Sequence, residues 1–462
     1  MRERDKLVVG VLPVKRGFLS LEVAMEEKEK LFKAIKGVKD DFVTLVDVDD
    51  VCEGGVLFKL DEVQPVVDKF KKAEIDALFI CHCDFGEEQA LVKVAREFDV
   101  PVLLWGNRDK YPNTFEKRGR DTQCGMFAST KVLTRNKITF SYIYNVDVET
   151  DEFMNGYVNF LRTANVVKAM KRLKIAQIGL RPQPFMSVIA SEGLMVEKFG
   201  VEVVPFSVPS ILRSVDELAA AKGSQVQEEI DSFKERMDCS QMTEEQLAKI
   251  AALKITIRDM MIESGCKAGA LECWSLFSRE IGVAPCMIVS ELADLGLPLS
   301  CEMDINGAVT SVIAEAVTLG ESAVFFADLT IRHPENDNGE LLWHCGPFPY
   351  SLRDPDKPAR MINGQATWEL KKGDITILRF DDIGGEYSII ATEGKAIDGP
   401  ETTGSYVWFE SPCWKSLEEK FIFGPYIHHV AGVYGKYSRA IEEAARYLPI
   451  KWDEIGTGPR SL

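Results

Sequence analysis

The sequence predicts an α/β protein with two doubly wound Rossmann-like domains followed by a C-terminal β-barrel-like domain. Three observations lead to this prediction. Short apolar, β-branched runs alternate with helically spaced segments over residues 1–165, and a second alternation of the same kind covers 166–295. Over 296–462 the pattern changes to short strand-like runs separated by turn residues, which is typical of a β-rich domain.

The first domain opens with the apolar run "LVVGVLPV", which is typical of a buried parallel strand, and the helical spacing of "LEVAMEEKEKLFKAI" follows it. The later strand runs are "FVTLVDV", "ALFICH" and "PVLLWG". Ligands of such sheets collect at the carboxyl ends of the strands. Arg16, Trp105 and Asn107 stand at or just after such ends, so we expect them to contact a ligand.

The middle domain has strand runs at "KIAQIGL", "VEVVPFS" and "AGALECW", with a long helical stretch over roughly 214–264. Neither this domain nor the first contains GxGxxG or GxxxxGK[ST]. The sequence therefore lacks the glycine-rich motif expected of a nucleotide-dependent α/β enzyme.

The third domain begins with a helix over 306–319 and ends with the helical run "KYSRAIEEAARYL". Between them lie short strand runs bounded by turn residues. These runs are "AVFFADLTI", "ELLWHCG", "DITILRF", "GEYSIIATEG" and "GSYVWFE".

The composition excludes some classes of partner. The 462 residues contain 72 acidic and 55 basic side chains, a formal net charge of −17. Nucleic acids and anionic membranes both require a basic surface, so we expect neither as a partner. There is no apolar run long enough to span a membrane and no signal-like leader, and the 11 cysteines form no dense framework. We therefore expect a cytoplasmic protein with reduced thiols.

The stretch "PLSCEMDING" places Glu302 and Asp304 between an apolar approach and a helix-like run. Metal-capable residues also end strand runs at Asp328 and His344, and a histidine pair follows in "PYIHHVAG". Carboxylates together with imidazoles favour a divalent cation with open coordination positions. Because oxygen donors dominate, we expect Mn²⁺, with Mg²⁺ or Co²⁺ as alternatives, rather than a structural thiolate zinc.

Structural roles compete with this interpretation at each position taken singly. A lone aspartate at a strand end such as Asp328 is most often a turn or cap residue, and His344 beside Trp343 is more often packed than ligating. Asp304 and Asn306 are both candidates to cap the helix that starts near residue 307.

The spacing of Glu302, Asp304 and Asn306, followed by "FFAD", resembles the L-fucose isomerase and L-arabinose isomerase superfamily, in particular a shorter fucose-isomerase-like branch. This resemblance implies that Glu302 and Asp328 are both metal ligands and the acid/base pair. It further implies that His429 completes the coordination. His344 would be either another ligand or a donor to the sugar, with His428 beside the substrate.

By this resemblance the protein is a metal-dependent ketol isomerase that interconverts a free aldose and ketose of the fucose or arabinose type through a cis-enediol. The alternatives are an isomerase of an anionic sugar such as sulfoquinovose, or a catalytically silent sugar-binding protein of the same fold. The resemblance also implies a homo-oligomer, a trimer or hexamer. In such an assembly Arg16, Trp105 and Asn107 would reach the sugar bound to a neighbouring subunit.

Overall fold

The computed structural model describes residues 6–112, 114, 119–274 and 276–455. The chain divides into two compact units, one of Glu3–Lys168 and the other of Ala169–Leu462. The border between the units, after Lys168, lies close to residue 165, where the first predicted domain ends. The second unit contains both of the regions that the sequence pattern separates at residue 295.

The first unit is built on a five-stranded parallel sheet with the order β2-β1-β3-β4-β5. Every residue of the central strand β3 is buried, as the apolar run predicts for a strand covered on both faces. The elements of this unit are β1 (Leu7–Val14), α1 (Leu21–Ile35), β2 (Val43–Val46), α2 (Val63–Lys72), β3 (Ala77–His82), α3 (Glu88–Ala95), β4 (Val102–Gly106), α4 (Thr122–Arg135), β5 (Ser141–Tyr142) and α5 (Asp151–Met170).

The second unit starts with a four-stranded parallel sheet with the order β7-β6-β8-β9. Its last strand, β9, leads directly into the turn that carries Glu302. The elements are β6 (Lys174–Ile178), α6 (Glu192–Phe199), β7 (Glu202–Phe206), α7 (Val208–Ala221), α8 (Ser224–Arg236), α9 (Glu244–Glu263), β8 (Ala268–Leu271), α10 (Leu276–Ile281), α11 (Cys286–Asp294) and β9 (Leu299–Ser300).

The long helical stretch expected over 214–264 is wrong in one respect, because the structure has three helices there. Helix α7 ends where Lys222 adopts a left-handed conformation with φ of 46°. Helix α8 ends at Met237, whose backbone is extended. Thr243 then starts α9 with a capping box that it forms with Gln246.

The rest of the second unit is a closed barrel of six antiparallel strands with the order β16-β11-β10-β17-β14-β15, closed by pairing of β15 with β16. Two further strands flank β16, and one flanks β15. The elements are α12 (Ile305–Thr318), β10 (Phe325–His333), β11 (Asn336–His344), β12 (Arg360–Ile362), β13 (Gln365–Glu369), β14 (Asp374–Ile383), β15 (Glu386–Ile397), β16 (Ser405–Glu410), α13 (Trp414–Phe423), β17 (His429–Tyr434), α14 (Ser438–Ala445) and β18 (Lys451–Trp452).

The predicted fold class is therefore confirmed as a mixed α/β protein with parallel sheets and a C-terminal β-barrel. Helix α12 is almost completely buried and contacts β8, β14 and β17, so it joins the parallel sheet of this unit to its barrel. Among the described residues, no helix is both long and apolar enough to cross a lipid bilayer.

Candidate active site

Glu302 lies in a strained turn between β9 and α12. Glu302 and the following Met303 both have φ of 60°, a left-handed conformation that costs a non-glycine residue free energy. Asp304 then begins the helix, and its carboxylate accepts a hydrogen bond of 2.8 Å from the backbone N–H of Gly307. Asp304 is thus the helix cap, and the expectation that Asn306 shares this role is wrong. Asn306 lies within α12 and donates to Asp381 at 2.7 Å.

The register of the barrel strands brings the remaining candidates together. Asp328 on β10 is the direct cross-strand partner of His429 on β17, and on its other side it faces Trp343 of β11. His344 follows Trp343 at the end of β11. Directly opposed residues of antiparallel strands have neighbouring side chains. Two residues far apart in the sequence thereby become neighbours.

The four side chains that the sequence singled out converge at one point. Nε2 of His429 lies 3.2 Å from Oε2 of Glu302 and 3.4 Å from Oδ1 of Asp328. Nε2 of His344 lies 3.8 Å from the same Oδ1 of Asp328. His429 and His344 are buried, whereas the two carboxylates are partly accessible.

A buried ionic cluster holds His429 from behind. Oδ2 of Asp304 is 2.8 Å from Nδ1 of His429, and the Asp304 carboxylate also accepts hydrogen bonds from both Nη atoms of Arg379. The guanidinium is shared with Asp381, which accepts from Nε at 2.9 Å and from Nη2 at 2.7 Å. Arg379 and Asp304 have no exposed surface, so each needs the other as a charge partner.

The hydrogen-bond partners of the two histidines give their rings opposite tautomers. The carboxylate of Asp304 can only accept, so Nδ1 of His429 carries a proton, and in the neutral ring Nε2 presents its lone pair to Glu302 and Asp328. The backbone N–H of Cys345 points at Nδ1 of His344 at 2.9 Å, which places the single proton of a neutral ring on Nε2. Despite burial, the charge of Asp328 raises the pKa of His344 to about 10, and the imidazolium also has a proton on Nε2. In either state His344 is a donor.

The same residues fit a divalent cation. Nε2 of His429 and Oδ1 of Asp328 are buried without a hydrogen-bond partner, which is costly unless something else satisfies them. The ligand atoms of Asp328, His428 and His429 also lie within 4.8 Å of one another. Oxygen and imidazole donors without a thiolate suit Mn²⁺, Mg²⁺ or Co²⁺.

The surroundings keep the carboxylates ionised. Burial opposes ionisation of Glu302, but the proximity of the His429 ring and the hydrogen bond from Trp274 hold its pKa below the usual range. Burial also opposes ionisation of Asp304, and the Arg379 guanidinium together with His429 lowers the pKa of Asp304 well below its usual value. Two anionic groups therefore flank His429 at neutral pH.

Aromatic side chains form one wall of the site. The rings of Phe185 and Trp274 are stacked at 5.8 Å, and Phe185 also lies 5.8 Å from the ring of His428. The indole N–H of Trp274 donates to Oε1 of Glu302 at 2.5 Å. The His428 residue is exposed next to this wall, but neighbouring groups partly desolvate its ring, and this desolvation together with the charge of His429 lowers its pKa.

Sequence reasoning missed several of these residues. Arg379 stands in a run interpreted only as a strand, and Phe185 and Trp274 lie in loops without a motif. The thiol of Cys345 was given no role, although it lies 3.2 Å from Nδ1 of His344 and 3.4 Å from the thiol of Cys286. A charged residue inside an apolar strand run, such as Arg379 in "DITILRF", was the one available signal for the buried cluster.

Two of the three candidates of the first unit lie at polar positions. Arg16 pairs with Glu87 at 3.3 Å and stacks on Phe85 at 4.5 Å. Asn107 is buried and donates to Glu27 at 2.6 Å, at the edge of a cavity of about 600 Å³ within this unit. Both remain predictions as substrate contacts.

The third candidate of the first unit requires a correction. Trp105 is only 1% exposed, and its ring packs against Phe153 at a centroid distance of 4.5 Å. An indole that is covered in this way has no open face on which a sugar could stack. Trp105 is a core residue of the first unit.

Comparisons with known proteins find a family model and several similar chains. Residues 10–171 match the family model for the N-terminal domain of fucose/sulfoquinovose isomerases. The chain is 25% identical over 452 residues to a sulfoquinovose isomerase of Priestia megaterium, covering 95% of this chain and 97% of the relative. Proteins with the same name are similar in Alkalicoccus urumqiensis, at 24% identity over 82% of this chain and 86% of theirs, and in Clostridium sp. (strain MSTE9), at 22% over 85% and 86%.

These matches confirm the resemblance to the fucose isomerase-like superfamily and the predicted class of enzyme, an aldose–ketose isomerase. The relatives are named as sulfoquinovose isomerases, so the comparisons favour the anionic-sugar alternative over the fucose or arabinose interpretation.

Proposed function

We propose that this protein is a divalent-metal-dependent isomerase that converts an anionic aldose, sulfoquinovose, into the corresponding ketose. The names of the relatives, which align with nearly the whole chain, support the substrate. On the sequence alone, sulfoquinovose is an alternative to fucose and arabinose. Isomerisation of any of these sugars requires the same chemistry at C1 and C2.

The observation that carries the catalytic part of the proposal is the convergence of Glu302, Asp328 and His429. Oε2 of Glu302 and Oδ1 of Asp328 lie 3.2 and 3.4 Å from Nε2 of His429, which has no hydrogen-bond partner among the described residues. Such a set is costly to bury unless a cation satisfies it. These three residues, with His428 as a candidate fourth, would hold Mn²⁺, Mg²⁺ or Co²⁺.

The isomerisation moves one proton between C1 and C2 and a second between O1 and O2. A bound divalent cation would polarise the carbonyl group and stabilise the negative charge that develops on the sugar oxygens. Glu302 and Asp328, both partly accessible, are the groups that would take the carbon-bound proton and return it to the neighbouring carbon. The Nε2 proton of His344 is available to hydrogen-bond a sugar oxygen.

A substrate panel tests the proposal. EDTA-stripped protein is supplied with Mn²⁺, Mg²⁺ or Co²⁺ and offered sulfoquinovose, glucose, L-fucose and L-arabinose, and ketose formation is followed by ¹H NMR. We expect conversion of sulfoquinovose only when metal is present. Glucose is the control, because it is a neutral sugar of the same configuration. Conversion of L-fucose or L-arabinose alone would show that sulfoquinovose is not the substrate. Tight binding without any conversion would indicate a sugar-binding protein.

Two further features of the proposal have their own measurements. Light scattering tests the trimer or hexamer that the resemblance implies. Substitution of Arg16 or Asn107 by alanine tests whether the first unit contributes to sugar binding, because loss of a contact present equally in the ground and transition states raises KM and leaves kcat unchanged.

A further inference from the structure

The two oxygens of the Glu302 carboxylate have different partners. Oε2 faces Nε2 of His429 at 3.2 Å and belongs to the convergent set. Oε1 points the other way and accepts the indole N–H of Trp274 at 2.5 Å. The carboxylate therefore offers a single oxygen to the cation position.

Among the described residues, no further hydrogen bond or ion pair fixes the orientation of this carboxylate. The backbone of Glu302 is left-handed, so the side chain leaves a turn and not a regular helix or strand. A free carboxylate at such a position can rotate and present both oxygens to a cation. Bidentate ligation would fill one of the coordination positions that two sugar oxygens require.

Trp274 is itself held in place by stacking and not by burial. Its side chain is 51% exposed, and the ring of Phe185 lies parallel to the indole at a centroid distance of 5.8 Å and an interplanar angle of 16°. Phe185 also contacts the rings of His428 and His429 at 5.8 and 5.4 Å. The indole thus has a fixed plane from which its N–H reaches the carboxylate.

We infer that Trp274 is a positioning residue that restricts Glu302 to ligation through one oxygen and so keeps a coordination position open for the sugar. This inference rests on the proposed function, because it assumes that Glu302 binds the cation. Trp274 needs no contact with either the cation or the sugar for this role.

The test compares Trp274→Phe, which keeps an aromatic ring but has no N–H, with Trp274→His, which keeps a ring donor. Phe185→Leu removes the stacking partner but leaves the indole N–H in place, so it is the milder perturbation of the same contact. A hydrogen bond to a charged group contributes about 1.5–3 kcal/mol, so we expect kcat of Trp274→Phe to fall about 10- to 100-fold with KM changed less than about threefold. Trp274→His should recover part of kcat, and Phe185→Leu should lower kcat less than Trp274→Phe does.

A spectroscopic measurement separates positioning from a structural role. The visible d–d absorption of bound Co²⁺ weakens as its coordination number rises. We expect Trp274→Phe to retain Co²⁺ binding and to show a weaker band in the absence of sugar, whereas Phe185→Leu shows a smaller change. The circular dichroism of each variant confirms its fold, and if Trp274→Phe is unfolded, Trp274→Leu, which also lacks the N–H, replaces it in both measurements.

The outcomes distinguish the two levels of inference. If KM rises and kcat stays constant, Trp274 is a sugar contact and the positioning role is wrong. If kcat and the Co²⁺ spectrum of Trp274→Phe both match the original protein, the hydrogen bond has no function and the inference is also wrong. If the original protein neither binds Co²⁺ nor converts any sugar, the proposed function itself fails, and this inference fails with it.

Discussion

The substitution Asp304→Asn tests the buried cluster behind the proposed cation site. Oδ2 of Asp304 accepts from both Nη1 of Arg379 and Nδ1 of His429. In the asparagine variant one of the two side-chain positions is an NH₂ group, which cannot accept. When the NH₂ group takes the Oδ2 position, His429 keeps this hydrogen bond only if it moves its proton to Nε2, because Nδ1 can then accept from the amide.

The expected magnitude follows from these contacts. A proton on Nε2 removes the lone pair that faces Glu302 and Asp328, so Mn²⁺ affinity should fall about 10- to 100-fold, the usual cost of losing the carboxylate that orients a ligand histidine. Removing one partner of a buried pair costs about 3–5 kcal/mol. Arg379 keeps its contacts with Asp381, so we expect the lower end, about 3 kcal/mol, and a melting temperature of the metal-free protein lower by roughly 5–10 °C.

Asp381→Asn is the matched control, because it removes the other carboxylate of Arg379 and has no contact with His429. Calorimetric titration of EDTA-treated proteins with Mn²⁺ gives the affinities, and thermal melting gives the stabilities. We expect both variants to melt at lower temperature and only Asp304→Asn to lose affinity. Equal affinities would refute the reasoning, since Asp304 would then act only as a partner of Arg379.

Three further predictions concern the carboxylates and histidines. Glu302→Gln and Asp328→Asn should each lower kcat by at least about 10²–10³-fold in folded protein, and near-normal turnover would remove that residue from the mechanism. If His344 is a donor and His428 a ligand, His428→Ala should weaken Mn²⁺ binding more than His344→Ala in calorimetry; the reverse order would contradict the tautomers. Burial raises the pKa of Glu340 to about 7, above its unfolded value of 4.5, so its ionisation destabilises the fold as pH rises through that range. Glu340→Gln should therefore raise stability at pH 8 by about 1–3 kcal/mol and have no effect near pH 4 in thermal melts, whereas an equal gain at both values would exclude this cause.

Much of the fold was predictable because each element has its own periodicity. The parallel strands are continuous apolar runs, and the barrel strands are short runs bounded by turn residues. Both kinds of strand therefore leave a local signal in the sequence. The breaks between α7, α8 and α9 were missed because each depends on only a few residues with non-helical backbone, as at Lys222 and Met237. The pairing of β10 with β17, which places Asp328 opposite His429, is a long-range pairing that no local pattern contains.

The site was predictable only in part, for a similar reason. Glu302, Asp328 and His429 lie at positions where a resemblance in motif spacing applied, and the cross-strand register of β10 and β17 brings two of them together. Trp274 has no motif, and its contact with Glu302 depends on the conformation of one turn. Trp105 and Arg16 were both predicted from their positions at strand ends, yet Trp105 is buried. A position at the end of a strand does not specify which way the side chain turns.

The balance of charge around His429 gives an independent reason to expect a cation. Four carboxylates, those of Glu302, Asp304, Asp328 and Asp381, surround His429 and the single guanidinium of Arg379. Burial alone would lower the pKa of His429, yet the neighbouring carboxylates raise it, so without metal a proton on the ring offsets part of the excess negative charge. A divalent ion at Nε2 would replace that proton and add a further positive charge. An arrangement of this kind is unfavourable as a purely structural core, because apolar residues of similar volume would be at least as stable. Its negative charge is better explained as a means of attracting a cation and retaining it.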